Sequence, residues 1–217
     1  MGNAILDQLP EPDLALLQPY LKLRAISRDD VLCEQGQSCN LVYLPISGLV
    51  SCLGASVEGQ LIELYSAGRD GLIDVGILLN RTACLTTRVM VAGEAYEVSA
   101  ENLWSAAQRS PSLALMLMQY TAAVLHQMVR GSVCGHFHPA PERLNLWLVA
   151  THLKLAAAVI PCTQDSIAQA VGVRRQTLNS MINALQRSGL VQVRPGQVTL
   201  IEIEKLRRRS CRCIERI

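Results

Sequence analysis

Residues 163–191 read TQDSIAQAVGVRRQTLNSMINALQRSGLV. Thr163 is a good helix N-cap with Asp165 in the first turn, and Ile167, Ala168 and Val171 give the helix it starts one apolar face. Gly172 permits a tight turn. Leu178, Ile182 and Leu185 then supply the buried face of a second helix, which Gly189 ends as a C′ residue. Arg174 and Arg175 stand at the start of that second helix, where the macrodipole is already positive and Ser, Thr or Asp would serve a purely structural helix better. Adjacent guanidinium groups in that place require something negative outside the chain. Just beyond, LVQV and VTLI, joined by RPGQ, read as a two-stranded hairpin. Helix, turn, helix and hairpin make a winged helix-turn-helix, a motif that sets the N-terminal residues of its second helix at base edges in the DNA major groove.

Arg174, Arg175 and Gln176 lie on the end that enters the groove. Arg bonds guanine O6 and N7 bidentately, and Gln pairs similarly with adenine. The helix end and the guanidinium groups disfavour each other in isolation, yet both favour a phosphate-rich partner. A small helical domain with solvated arginines, or a winged helix used for protein contacts, is the competing reading. The whole arrangement, and not only a basic run, points to DNA.

The charge distribution agrees. The 217 residues carry a net charge of only +2, but unevenly. Residues 1–138 hold 8 Lys and Arg against 13 Asp and Glu, a balance of −5, whereas residues 161–217 hold 10 against 4, a balance of +6. One end of the chain is suited to a polyanion and the other is not. Half of the chain is hydrophobic and 18% charged, enough to bury substantial cores.

Upstream, residues 30–98 are short apolar runs (LVYLPI, GLVSCLGA, QLIELYSA, TTRVMVAG) punctuated by glycines, as in a β-sandwich or roll. Before them, PDLALLQPYLKLRAI reads as one or two short helices interrupted by Pro19. From Ser110, an N-cap followed by Pro111 at the first helical position, the pattern turns helical to about Phe137. Leu113, Leu117, Tyr120 and Val124 recur along it at helical steps, a stripe that suits pairing with a second copy or burial against the roll equally well. Gly131 and Gly135 suggest that its end loosens. Pro139 and Pro141 mark a break before another amphipathic helix through Leu144, Trp147 and Leu148. The expected fold is α+β: an antiparallel, jelly-roll-like β-roll effector domain over residues 1–110, a long dimerisation helix and hinge over 111–138, and a winged helix-turn-helix over 139–217. The N-terminus has no basic region followed by an apolar one, and the run LALMLMQYTAAVLHQMV is broken by Gln and His, so a soluble, cytoplasmic protein with no membrane partner is expected. The eight cysteines are expected as reduced thiols.

At this point the chain resembles the Crp/Fnr superfamily of bacterial transcription regulators, through the glycine-rich roll, the long helix, the hinge and above all TQDSIAQAVGVRRQTLNSMINALQRSGLVQVRPGQVTLIE. The resemblance implies a homodimer paired through the long helix, an effector bound in the roll, a near-palindromic double-stranded operator, and RNA polymerase as a further partner. By position it puts Arg175, Gln176 and Ser180 at base edges, with Asn179 on the side of Arg175 one turn on, and Thr163, Arg174 and Thr177 at phosphates. The effector pocket departs from the family pattern. Members that bind cyclic nucleotides use a Gly-Glu pair for the ribose and an Arg-Ser or Arg-Thr pair for the phosphate. The aligned positions here are Ile73-Asp74 and Ala83-Cys84, and Met128 stands where a polar group meets the base. Asp74 can still hold a ribose hydroxyl, and Arg81 or Arg88 can supply a guanidinium in another register. Without the aligned Arg a buried phosphate is uncompensated, so cyclic AMP is not expected and the effector is left unassigned.

A redox, metal or haem-gas sensor of the same fold is the alternative. Cys33 and Cys39 lie in the roll and Cys211 and Cys213 in the Arg-rich tail, but no N-terminal cysteine cluster precedes residue 33. His126, His136, His138 and His152 have no diagnostic spacing, and the two thiols of CRC are an incomplete site, so no metal ligand is assigned. Cys134 with its neighbouring histidines lacks a triad or oxyanion loop, and AGRDG does not match a phosphate loop. An enzyme is not expected.

Overall fold

The computed structural model describes residues 1–73, 76 and 82–213. Two antiparallel sheets form the N-terminal roll. One has the order β1 (Lys22–Ile26), β7 (Gly93–Ser99), β3 (Leu41–Pro45); the other has the order β2 (Val31–Cys33), β6 (Thr86–Val91), β4 (Leu49–Ala55), β5 (Leu61–Ala67). Between them Val50, Cys52, Ala67, Ile73, Val89 and Ala95 pack with Tyr43 and Tyr65 in a mostly aliphatic core, as a chain with a single Phe requires. Gly93 lets the start of β7 pass Ser47, whose carbonyl would stand 2.5 Å from any Cβ there.

Helices α1 (Ala4–Asp7) and α2 (Glu11–Leu17) and a 3₁₀ turn at Gln18–Tyr20 precede β1. KLRAI is therefore a strand and not helix. Four of its five residues are exposed, so no burial period announces it; an edge strand is held by its ladder, here Lys22–Ile26 against Gly93–Glu97. A further helix that the sequence pattern did not announce, α3 (Ala100–Arg109), follows β7, capped by Ser99 Oγ accepting from Asn102 N. It packs with α1 and α2 through Leu6, Leu17, Leu103 and Ala107 on the other face of the first sheet.

The long helix α4 (Pro111–Phe137) starts as expected, with Ser110 Oγ accepting from Leu113 N. It runs unbroken through Gly131 and Gly135, against the expected loosening; both glycines lie on exposed surface, where nothing drives the helix apart. His138 leaves the helical conformation and α5 (Ala140–Leu155) begins after Pro139. The C-terminal core joins α5, α6 (Gln164–Val171), α7 (Arg175–Arg187), strands β8 (Val159–Ile160), β9 (Val191–Arg194) and β10 (Gln197–Leu200), and α8 (Ile203–Arg208). The wing is the expected hairpin, Val191–Arg194 against Gln197–Leu200, turning at Gly196 with φ 73°. Strand β8 adds a third member on the far side of β10.

The two halves touch. Leu49, Met90 and Val91 of the roll belong to the C-terminal core, and α6 lies against β5. Arg28 Nη2 donates to Pro161 O at 2.6 Å, and Trp147 Nε1 donates to Glu63 Oε1 at 3.1 Å. Cys33 and Cys39 form a disulfide, which corrects the expectation of reduced thiols for that pair: the turn between β2 and β3 folds back and brings their Cα atoms to 6.3 Å, within bridging reach.

Candidate nucleic-acid interface

Helix α6 is capped by Thr163, whose Oγ1 accepts from Ser166 N at 3.1 Å. Gly172, at φ 69°, turns the chain in the left-handed region, and Arg174 takes the N-cap position of α7 with extended backbone and no side-chain cap. The first N–H groups of α7 thus have no partner from a capping side chain and point outward with the positive helix end. Leu178, Ile182 and Leu185 hold the helix to the core. Arg174, Arg175, Gln176, Thr177 and Ser180, at the helix start and its outer side, are all exposed. Asn179 is half-buried, and its Oδ1 has no hydrogen-bond partner. Ser180 Oγ donates to Gln176 O at 3.2 Å, one turn back on the same face. The sequence-predicted DNA-facing residues of α7 therefore share one surface, with Thr163 at the start of the neighbouring helix. One partner was not apparent from the sequence. Arg175 Nη1 lies 3.3 Å from Asp165 Oδ2 across the turn; its signal is the acid in the first turn of α6, which by itself speaks only of its own helix.

The stripe Leu113, Leu117, Tyr120 and Val124 on α4 faces the wrong way for pairing. Leu113 and Leu117 are buried against α3 and the first sheet, Val124 is buried against the roll core, and Tyr120 Oη donates to Leu72 O at 2.7 Å. These four attach the helix to its own roll. The opposite face exposes Leu115, Met118, Ala122, Leu125, Val129 and Val133. Their steps of three and four are those of a coiled-coil seam. A helix with two apolar faces satisfies helical periodicity twice, and the pattern of apolar residues does not say which face looks inward. By length and composition α4 is also long and apolar enough to cross a membrane, against the expectation drawn from its Gln and His.

Among the described residues, those named for an effector pocket are not assembled around one cavity. Asp74 and Arg81 lie outside the described residues. Cys84 is exposed, Arg88 sits half-buried on β6 opposite Val31 and Ser51, and Met128 packs on the roll core. A cavity of about 980 Å³ instead separates the roll from the helix-turn-helix, between β5, α4 and α5. Met128 is on its wall with Glu63, His126, Trp147 and Lys154. Burial pushes the Glu63 carboxyl above its usual range, opposed by hydrogen bonds from Ser51 and Trp147 and by the Lys154 charge. Lys154 Nζ is itself engaged by Ser66 O, by Ser66 Oγ at 3.3 Å and by Asp70 Oδ2 at 3.9 Å.

A second cluster forms where α4 meets the C-terminal tail. Cys134, His138, Cys211 and Cys213 bring their ligand atoms within 4.8 Å of one another. Burial, and then the neighbouring thiols, raise Cys134 above the ordinary thiol range. Neither half was assigned from sequence, because 73 positions separate His138 from Cys211.

A β-roll, a long helix and a winged helix-turn-helix in this order define the Crp/Fnr fold, and residues 142–209 match the family model of the Crp-like helix-turn-helix domain. FixK2 of Bradyrhizobium japonicum superposes with a TM-score of 0.77 at 16% identity, over 88% of this chain and 98% of its own. The c-di-GMP-responsive global regulator CLP of Xanthomonas campestris gives 0.73 at 19%, over 88% and 99%. The catabolite activator protein of Thermus thermophilus gives 0.52 at 21%, over 95% and 97%. These likenesses establish the fold. No curated protein matches the chain in sequence.

Proposed function

We propose that the chain is a sequence-specific, homodimeric transcription regulator of the Crp/Fnr type that binds a near-palindromic DNA site under the control of an effector other than cyclic AMP. The carrying observation is the uncapped, exposed start of α7, with Arg174 to Thr177 and Ser180 on one surface of a domain that matches the Crp-like helix-turn-helix. In this reading Arg175, Gln176, Asn179 and Ser180 meet base edges, and Thr163, Arg174 and Thr177 meet phosphates. The dimer forms along Leu115, Met118, Ala122, Leu125 and Val129, a face that leaves Met118 62% exposed in the single chain, and the two recognition helices then enter half-sites about one helical turn apart. Residues 1–110 act as the effector domain, 111–138 as dimer helix and hinge, and 139–217 as the DNA-binding domain, in the cytoplasm where RNA polymerase is at hand.

The reading against cyclic AMP rests on Ala83-Cys84: Ala83 is buried and without charge, so that position offers a phosphate no cation of its own. Calorimetry is expected to find no low-micromolar cyclic AMP binding. The function itself is tested by selecting binding sites from random DNA with the full chain: an inverted-repeat consensus bound at nanomolar concentration is expected, and recovery of unselected sequence would overturn the proposal.

A further inference from the structure

Cys134 and His138 are four residues apart, the first in the last turn of α4 and the second its C-cap, so helix geometry turns both to one side. Cys211 and Cys213 flank Arg212 in the turn after α8. Cys134 Sγ lies 3.8 Å from Cys211 Sγ, and Cys213 Sγ lies 3.8 Å from His138 Nδ1. We propose that Cys134, His138, Cys211 and Cys213 form a Cys₃His site for a single zinc-class ion.

The distances are those of an almost assembled tetrahedron. With metal–sulfur bonds of about 2.3 Å and a metal–nitrogen bond of about 2.0 Å, tetrahedral edges are about 3.8 Å between sulfurs and about 3.6 Å between sulfur and nitrogen. The four ligand atoms already fall within 4.8 Å of one another, about 1 Å beyond those edges at most. An iron–sulfur cluster holds its ligands on several irons and spreads them further apart, which disfavours it at this spacing. Three thiolates and an imidazole select a borderline-soft ion over magnesium or calcium. Cys134 and Cys211 are buried and the other two half-buried; with four protein ligands the site is closed, as structural sites are.

Charge and surroundings agree. Binding releases the thiol protons to solvent, leaving a dication with three thiolates and a neutral ring, a net charge of about −1 by that count. The Arg143 guanidinium reaches Gly135 O at 3.5 Å, next to Cys134, and its buried Nε has no hydrogen-bond partner. Arg212 stands between the two tail thiols. Asn145 Nδ2, donating to Arg209 O at 3.1 Å, fixes the tail two residues before Cys211. A simple core role for these cysteines requires neither the convergence of all three nor a histidine among them. An ion here ties the tail behind the helix-turn-helix to the last turn of the long helix.

The test is titration of the full, reduced, chelator-stripped chain with Co²⁺ as optical probe, followed by Zn²⁺. About one Co²⁺ per chain is expected, with the intense visible bands of a tetrahedral site and thiolate charge transfer, abolished when Zn²⁺ displaces it. Cys213→Ser and His138→Gln should each weaken binding by at least about 100-fold, while Cys162→Ala, outside the cluster, should not; circular dichroism of each variant confirms folding. A pale six-coordinate spectrum, unchanged affinity in Cys213→Ser and His138→Gln, an iron–sulfur chromophore in anaerobically purified protein, or a Cys134–Cys211 disulfide in place of the metal would each overturn the proposal. The wild-type titration decides without the variants, and because it reads metal and not DNA, its failure leaves the DNA-binding proposal standing.

Discussion

Arg175 carries two relationships that a pair of substitutions separates. In the free chain its guanidinium lies 3.3 Å from Asp165, with the two side chains 64% and 59% exposed. An exposed pair of this kind is worth about 0.2–1 kcal/mol; under the proposed function Arg175 gives it up to bond a guanine edge bidentately, an interaction worth about 1–3 kcal/mol. Counted over the two half-sites of a dimer, Arg175→Ala should cost about 2–6 kcal/mol, roughly 30-fold to 2 × 10⁴-fold in affinity. Asp165→Asn removes the competing partner and a charge facing the phosphates. It should therefore tighten binding by about 0.4–2 kcal/mol, roughly 2- to 30-fold. In the Arg175→Ala background the gain from Asp165→Asn should shrink, because only phosphate repulsion is left to relieve. Fluorescence anisotropy on the selected operator at fixed salt measures all four corners of the cycle, and site selection with Arg175→Ala should lose information at one base pair per half-site. Identical sequence logos for wild type and Arg175→Ala would refute the base-reading role. Weaker binding by Asp165→Asn would show that the carboxylate aims the guanidinium and does not compete for it.

Arg174→Ala should weaken binding to all sequences alike and reduce the salt slope by about one for each phosphate that the side chain no longer neutralises, read from affinities across a salt series. Leu125→Glu with Val129→Glu should give a folded monomer by sedimentation, whereas Leu117→Glu, whose site is buried against the chain's own roll, should lower the melting temperature sharply. Burial raises the folded-state pKa of Glu63. Its contribution to stability is therefore fully present below the unfolded value and is lost as pH rises through the folded one. Glu63→Gln should melt higher than wild type at neutral pH and converge with it near pH 4, and a constant difference across the range would contradict that cause.

The helix-turn-helix was legible because its signals are local: a capping Thr163, a glycine at a left-handed turn, and two arginines at a helix start each act within a few residues. What depended on tertiary partners was not. Lys22–Ile26 is a strand only because β7 is beside it, and Asp165 meets Arg175 only after the turn is made. The two apolar faces of α4 look alike in sequence, and it is the roll that takes Leu117 and Val124 and leaves Leu125 and Val129 outside. Cys134 and Cys211 meet only because α8 returns along α5.

Tyr120 of α4 grips the roll through a hydrogen bond to its main chain, at Leu72 O, and the fit is close: a Cβ on Gly71 would stand 2.5 Å from the Tyr120 ring. Leu72 therefore cannot shift without either breaking that bond or hauling the helix with it. Tyr120 shares its turn with Met118 and Ala122 on the outer face, so such a pull arrives at that exposed apolar face within one turn of helix. A methyl group at position 71 would push the Tyr120 ring aside and cut its bond to Leu72 O, slackening the hold of the roll on the helix while leaving Arg174 to Ser180 untouched.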